Sequence, residues 1–266
     1  MATAAVKPAG FGDLLREWRQ RRRLSQLDLA LEASVSARHL SFVETGRAKP
    51  SRELVLHLAE QLEVPLRERN ALLLAAGFAP VYGETPLDAP EMTAVREALD
   101  KLLAGHEPFP AVIVDRQWEL VTANQPALAL LADGVAPELL EPPANTLRIS
   151  LHPDGLAPRI ANLAEYSAHL LTRLRREAAL SADPALVALY DELRAYPGVD
   201  DGSTHAAHDE QQAFVPLRLR GEPELTFFST IATFGTALDI TLAELAIEAF
   251  YPADPQTAAA LLRGAE

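Results

Sequence analysis

Between Phe11 and Gly77 the apolar positions recur at helical spacing in five short runs. Phe11, Leu14, Leu15 and Trp18 mark a first helix that reaches about Leu24 and carries the basic stretch Arg19 to Arg23. Ser25-Gln26-Leu27-Asp28 reads as a capping box and opens a second helix, with Leu27, Ala30 and Leu31 expected on its inner face. Ser36 caps a third helix that buries Leu40 and Val43, with Val35 as a hydrophobic staple, and Gly46 supplies its left-handed stop. A fourth helix runs from about Ser51 to Glu63 on Leu54, Leu56, Leu58, Ala59 and Leu62. Pro65 then opens a fifth, Leu66 to Ala76, closed by Gly77.

Past Ala79 the pattern changes. The turn formers from Ala79 to Pro90 read as a linker, and a helix of about Met92 to Ala104 follows. In "PAVIVDRQWELVTAN" an apolar run, an Arg116-Gln117 turn and an alternating run predict a hairpin leading into a helix over Ala127 to Leu131. Strand-like runs return at Ala213 to Arg220, Leu225 to Ile231 and about Thr241 to Tyr251, with a turn at Gly221-Glu222-Pro223-Glu224. Two strands, helices and three strands make an α+β order. The expected organisation is a helical domain over 1–78, a linker over 79–91 and an α+β domain over 92–266.

Charge sharpens this division. The chain of 266 residues has a formal net charge of -13, which by itself argues against a polyanionic partner. Residues 1–80, however, hold 12 Lys/Arg against 9 Asp/Glu, a net of +3, and the remainder hold 12 against 28, a net of -16. A basic module joined to an acidic one can meet phosphates through the first alone. The chain has no cysteine, which excludes disulfides, thiol catalysis and Cys-ligated metals. No charged leader precedes a long apolar core and no apolar run could span a bilayer, so a cytoplasmic protein without a membrane partner is expected.

The stretches "LSQLDLA" and "VSARHLSFVETGRAKPS" resemble the helix-turn-helix domain of the phage-repressor (Xre-like, lambda-repressor-like) family, over roughly residues 11–77. The resemblance implies an all-α five-helix domain that docks its third helix in the major groove of a palindromic operator as a homodimer. Ser36 would cap that helix, with Ala37, Arg38 and Ser41 outward. Arg38 would read guanine through its two N–H groups, and Ala37 or Phe42 would meet a thymine methyl, unless Phe42 packs inward. Gln26 would meet a phosphate at a helix N-terminus, as would Arg47 and Lys49 from the exit loop, with Arg21 to Arg23 flanking the duplex. The resemblance further implies a structural ion pair between Arg19 and Glu44. The chain departs from the family at Arg23, where glycine is common.

The α+β part resembles a PAS-like sensor, a five-stranded antiparallel sheet with helices over one face. Together with the first domain it is similar to the MmyB-like transcription regulators, on "PAVIVDRQWELVTAN", "LRISLHPDGLAPRIANLAEYSAHLLTRLRREA" and "TFFSTIATFGTALDITLAELAIEAFYPAD". The resemblance implies a cavity for a long apolar ligand, a fatty acid such as myristate or palmitate, with no cofactor required. A helix over Arg159 to Arg176 would line it with Ile160, Leu163, Ser167, Leu170, Leu171 and Leu174, near Tyr166, and strand residues Leu217, Leu219, Phe228, Leu245, Ile247 and Tyr251 would close the other wall. His152, Arg159, Asn162, His169 and Arg173 could receive a carboxylate head group. The alternative is a dimerisation or protein-interaction module with a filled interior. His205, His208 and Asp209 lie close in sequence but in a Gly-Ser-rich setting that reads as a loop. The chain has no Gly-x-Ser-x-Gly, phosphate-loop or His-Glu-x-x-His motif, so no enzymatic activity is expected.

Overall fold

A computed structural model describes residues 10–202 and 214–263. It divides into two units, one reaching Glu84 together with Ala237–Ile240, the other formed by the rest. The first unit contains α1 (Phe11–Arg21), α2 (Gln26–Glu32), α3 (Ala37–Glu44), α4 (Arg52–Gln61) and α5 (Leu66–Ala75). Serines fix three of the starts. The Ser25 hydroxyl accepts from the Asp28 amide while Asp28 accepts from the Ser25 amide, and Ser36 and Ser51 accept from His39 and Leu54. Each such cap is worth about 1 kcal/mol. Leu15, Leu29, Leu40, Val55, Leu58, Leu62, Leu72 and Leu73 close the core.

The inner face of α2 is not the expected one. Leu27 and Leu31 are 58% and 69% exposed, whereas Leu29, Ala30 and the adjoining Ala33 are buried. The helix carries two apolar stripes, and the one with small residues lets its backbone come close to its neighbours. Two other backbone positions are constrained. Arg23 has a left-handed φ of 58°, which explains why glycine suits that turn, and Gly46 stops α3 at φ 71°. At Gly12 a Cβ would stand 2.4 Å from the Glu44 carbonyl oxygen, so glycine there lets α1 pack against the end of α3.

The second unit contains α6 (Thr93–His106), β1 (Ala111–Val114), β2 (Leu120–Ala123), α7 (Gln125–Ala132), α8 (Thr146–Leu151), α9 (Leu163–Ser181), α10 (Pro184–Leu193), β3 (Leu217–Leu219), β4 (Leu225–Thr233), the single turn α11 (Ile240–Ala243), β5 (Ala246–Pro252) and α12 (Pro255–Arg263). The strands form one antiparallel sheet in the order β2-β1-β5-β4-β3. In the β1–β2 turn the Asp115 carboxylate accepts the amides of Gln117 and Glu119, and Trp118 takes a left-handed φ of 66°. Asn124 caps α7 and also receives the Ala111 amide, binding the hairpin to the helix that follows.

Both faces of the sheet are covered, not one. Val112, Val114, Phe227 and Phe250 face the large core with α8, α9 and α10, while Ala111, Ile113, Ile247 and Ala249 join Leu245 against Leu99 and Leu103 of α6. Val112 pairs with Glu248 and Ile113 with Ile247. Strand alternation therefore turns Glu248 toward the α9 side and Ile247 away from it. Phe228 pairs with Tyr251 and stacks on its ring, and Tyr251 meets His106 of α6 edge-on. Phe228 and Ile247 thus belong to the face opposite the one expected of them. In β5 both alternating sets are largely apolar, and the expected register takes the bulkier Leu245, Ile247 and Tyr251 inward.

Gly12→Ala is expected to cost about 2 kcal/mol in urea unfolding, because the helix backbone must retreat from Glu44. Arg23→Gly is expected to raise stability by about 0.5 kcal/mol, relief of left-handed strain exceeding the added chain entropy, while Arg23→Ala leaves it unchanged. A loss of about 1 kcal/mol in the glycine variant would count against strain at this turn.

Candidate functional site

On α3 the residues divide by exposure. Leu40 and Val43 are buried, Ser36 and Arg38 are exposed, and Ala37, Ser41 and Phe42 are half-buried. The Arg38 guanidinium lies 5.3 Å from the centre of the Phe42 ring, one turn along the helix. Phe42 thus neither fills the core nor stands free: it forms a platform that restricts Arg38. Arg47 and Lys49 are exposed in the loop after Gly46, and the Arg47 and Ala48 amides donate to the Phe42 carbonyl, so the loop folds back on the helix end.

One carboxylate holds this surface in place. Glu44 accepts from Arg19 Nε at 2.7 Å and Arg19 Nη2 at 3.0 Å, and from the Gln26 amide at 2.7 Å. Arg16 donates to its carbonyl. Burial pushes the Glu44 carboxyl up, but hydrogen bonds from Arg19 and Gln26 and the charges of Arg19 and Arg16 outweigh it and hold the group below its ordinary value. The side chain of Gln26 is thereby tied to α3 through its amide nitrogen. Arg22 is likewise structural: it donates to the Leu62 and Glu63 carbonyls at 2.8 and 2.9 Å, satisfying the end of α4. It does not lie free to flank a duplex.

In the second unit a cavity of about 50 Å³ lies between the sheet and helices α7, α8 and α9, lined among others by Val112, Leu130, Thr146, Tyr166, Leu170 and Glu248. An open groove of about 860 Å³ adjoins it, bounded by Gln125, Asp133, Arg159, Leu225 and Leu261, and both share Pro110 and Leu130. Of the expected ligand residues, Tyr166, Leu170 and the strand residue Leu217 reach the cavity and Arg159 reaches the groove.

The others are placed elsewhere. Leu163 packs at the edge of the core. The buried Ser167 hydroxyl bridges to Asp200, accepting from its amide at 2.9 Å. Asn162 donates to the Pro216 carbonyl and accepts from the Arg218 amide, joining the start of α9 to β3. His152 packs edge-on against Tyr196, and His169 is exposed. Arg173 lies 4.2 Å from the Trp118 ring and pairs with Glu177, which accepts from the Trp118 indole. Arg159 pairs with Asp133 at 3.0 Å. The expected cluster around one head group is therefore a set of separate structural contacts, because the helix begins at Leu163 rather than Arg159, leaving His152, Arg159 and Asn162 before it and only His169 and Arg173 on it.

The residue that sequence reasoning missed is Glu248. It is buried on the middle strand of the sheet, facing the cavity. Burial drives its carboxyl above the ordinary value, against the Arg173 charge and a hydrogen bond from Ser229, and the charge of Glu177 adds to the rise. Burial likewise raises the Tyr166 hydroxyl, helped by Glu248. The signal was present as the lone acid in "LAIEAFY". No group of three or more metal-ligating side chains occurs among the described residues, and His205, His208 and Asp209 lie outside them. Nor is any described helix long and apolar enough to cross a membrane.

Glu44→Gln is expected to lower stability by about 3 kcal/mol near neutral pH, since it leaves the Arg19 charge buried without its partner. A carboxyl held below its ordinary 4.5 stabilises the fold fully above that value and loses the contribution as pH falls through the lowered folded-state value. The gap between wild type and variant in urea unfolding should therefore narrow below about pH 4.5. A pH-independent gap would show that the charge on Glu44 is not what matters.

The comparisons with known proteins follow the same division. A helix-turn-helix domain model matches residues 11–72, and the model of the MmyB-like transcription regulator ligand-binding domain matches residues 95–263. No curated protein matches the chain. The second match alone spans more than half of the sequence, and with a DNA-binding unit of five helices before it the chain belongs to the MmyB-like transcription regulators.

Proposed function

We propose that this ligand-responsive DNA-binding regulator recognises a palindromic operator as a homodimer and that its second, PAS-like unit senses an acyl-chain lipophile, a long-chain fatty acid such as myristate or palmitate. The observation that carries the ligand reading is the adjacency of groove and cavity, which share Pro110 and Leu130 as lining. Sites for small molecules occupy roughly 300–1,000 Å³. The groove reaches that range and the cavity alone does not. An acyl chain would lie in the groove and enter the cavity past Leu130, with its carboxylate at the groove end taking the place of Asp133 on Arg159.

The small volume favours a second reading, in which the interior is filled by side chains and the unit serves dimerisation. Native mass spectrometry of the purified full chain separates the two. A releasable acyl ligand supports sensing, and a protein that neither carries nor takes up myristate or palmitate supports the interaction module.

On the DNA side Arg38 is assigned base readout and Arg47 and Lys49 the phosphates. Arg38→Ala is expected to weaken operator binding by about 1–3 kcal/mol and to relax specificity at one position. Lys49→Ala should weaken all sequences alike and reduce the salt slope by about 1. Phe42→Leu, which removes the platform under the guanidinium, should give a milder version of the Arg38 effect. Footprinting in which Arg38→Ala leaves specific binding untouched would falsify the recognition assignment.

A further inference from the structure

The cavity wall is apolar except at a few places. Thr146 and Ser150 spend their hydroxyl protons on backbone, donating to the Trp118 and Thr146 carbonyls. Glu248 and Tyr166 remain, and they line the cavity but not the groove. Glu248 stands on the middle strand β5 between the buried Val112 of β1 and the exposed Ile231 of β4, and is itself buried, where a central strand ordinarily carries an aliphatic residue. Leucine or valine would fill this position at no electrostatic cost. An acid there lowers the stability of the empty domain unless something else is gained.

We infer that Glu248, with Tyr166 beside it in the cavity, is a specificity site for the end of the ligand that enters past Leu130, and that this end carries a neutral hydrogen-bond donor, a hydroxyl. The inference rests on the acyl-chain reading and narrows it: the ligand is an acyl chain hydroxylated at or near its far end. A carboxyl in its neutral form, toward which burial pushes Glu248, offers one O–H and acceptor lone pairs. The Ser229 hydroxyl occupies part of that capacity, and a ligand hydroxyl fits the remainder. A methyl end would cover the same group without satisfying it, which forfeits its solvation. An ionised carboxylate end would meet the acid in a setting too dry to screen the repulsion. An ammonium end would have to ionise Glu248, with Arg173 already supplying positive charge to the same group.

The test uses the full chain and three matched series at pH 7: dodecanoic, tetradecanoic and hexadecanoic acids, the same acids with a terminal hydroxyl and the same acids with a terminal amine, followed by displacement of a fluorescent acyl probe. Wild type is expected to bind the hydroxylated member about tenfold more tightly at the best chain length. Glu248→Leu should reverse that preference in favour of the plain acids, and Glu248→Gln, which keeps a neutral donor and acceptor, should retain it. Thermal unfolding shows whether each variant is folded, and Glu248→Leu should be at least as stable as wild type because it removes a buried acid. Plain acids binding as well as hydroxylated ones, or a preference that survives in Glu248→Leu, would overturn this inference and leave the acyl-chain reading standing. A terminal amine binding most tightly and losing that advantage in Glu248→Gln would overturn it in favour of an ionised acid. Failure of every member to bind wild type would overturn the acyl-chain reading itself.

Discussion

A carboxylate removed from water must either be paired or give up its charge, and the two units meet this constraint in opposite ways. In the first, Glu44 keeps its charge because Arg19 grips it with two N–H groups, Gln26 adds a third and Arg16 contributes a field. Three helices are thereby joined at one side chain. The outward face of α3 is only as well aimed as this junction, since caps and leucines fix where the helix begins and which side is buried but not its rotation against α1 and α2. In the second unit Glu248 has no such clamp, and burial shifts it toward the neutral acid. The first arrangement holds a surface rigid. The second leaves a group with hydrogen-bonding capacity inside an apolar cavity.

Much of the helical unit was legible because its signals are local. Ser25, Ser36 and Ser51 cap helices at the positions where a serine precedes an apolar run, and Gly46 stops α3 by its own backbone preference. Arg23 is instructive in the same way: where the family pattern has glycine, the turn holds an arginine in the left-handed conformation. Burial was less legible. On α2 two apolar stripes compete, and the choice of Leu29, Ala30 and Ala33 over Leu27 and Leu31 depends on how closely neighbouring helices approach.

The sheet shows the limit more sharply. Strand β5 is apolar on both sides because helices cover both faces, so alternation in the sequence cannot say which set looks at the cavity. The pairing of Val112 with Glu248 decides it, and that is a long-range fact. The same limit scattered the expected head-group cluster: Asn162 precedes α9, and His169 and Arg173, one turn apart on it, find different environments. Helices α8, α10 and α12 were also not anticipated, although Asn145 and Asp183 cap two of them.

The charge division and the cavity bear on the same requirement. Excess acid lies beyond the basic segment, so a net charge of -13 sets no barrier to a duplex approached through α3. A ligand changes DNA binding only if it binds one state of the protein better than another. On the acyl-chain proposal the cavity meets that condition by its size. At about 50 Å³ it is too small for an acyl chain, so a chain entering from the groove would have to select an arrangement with the shared Leu130 and Pro110 displaced. The free energy available for a response is bounded by what the chain gains in the cavity beyond the cost of parting those side chains, which makes the chemistry at its far end as decisive as the length of the chain.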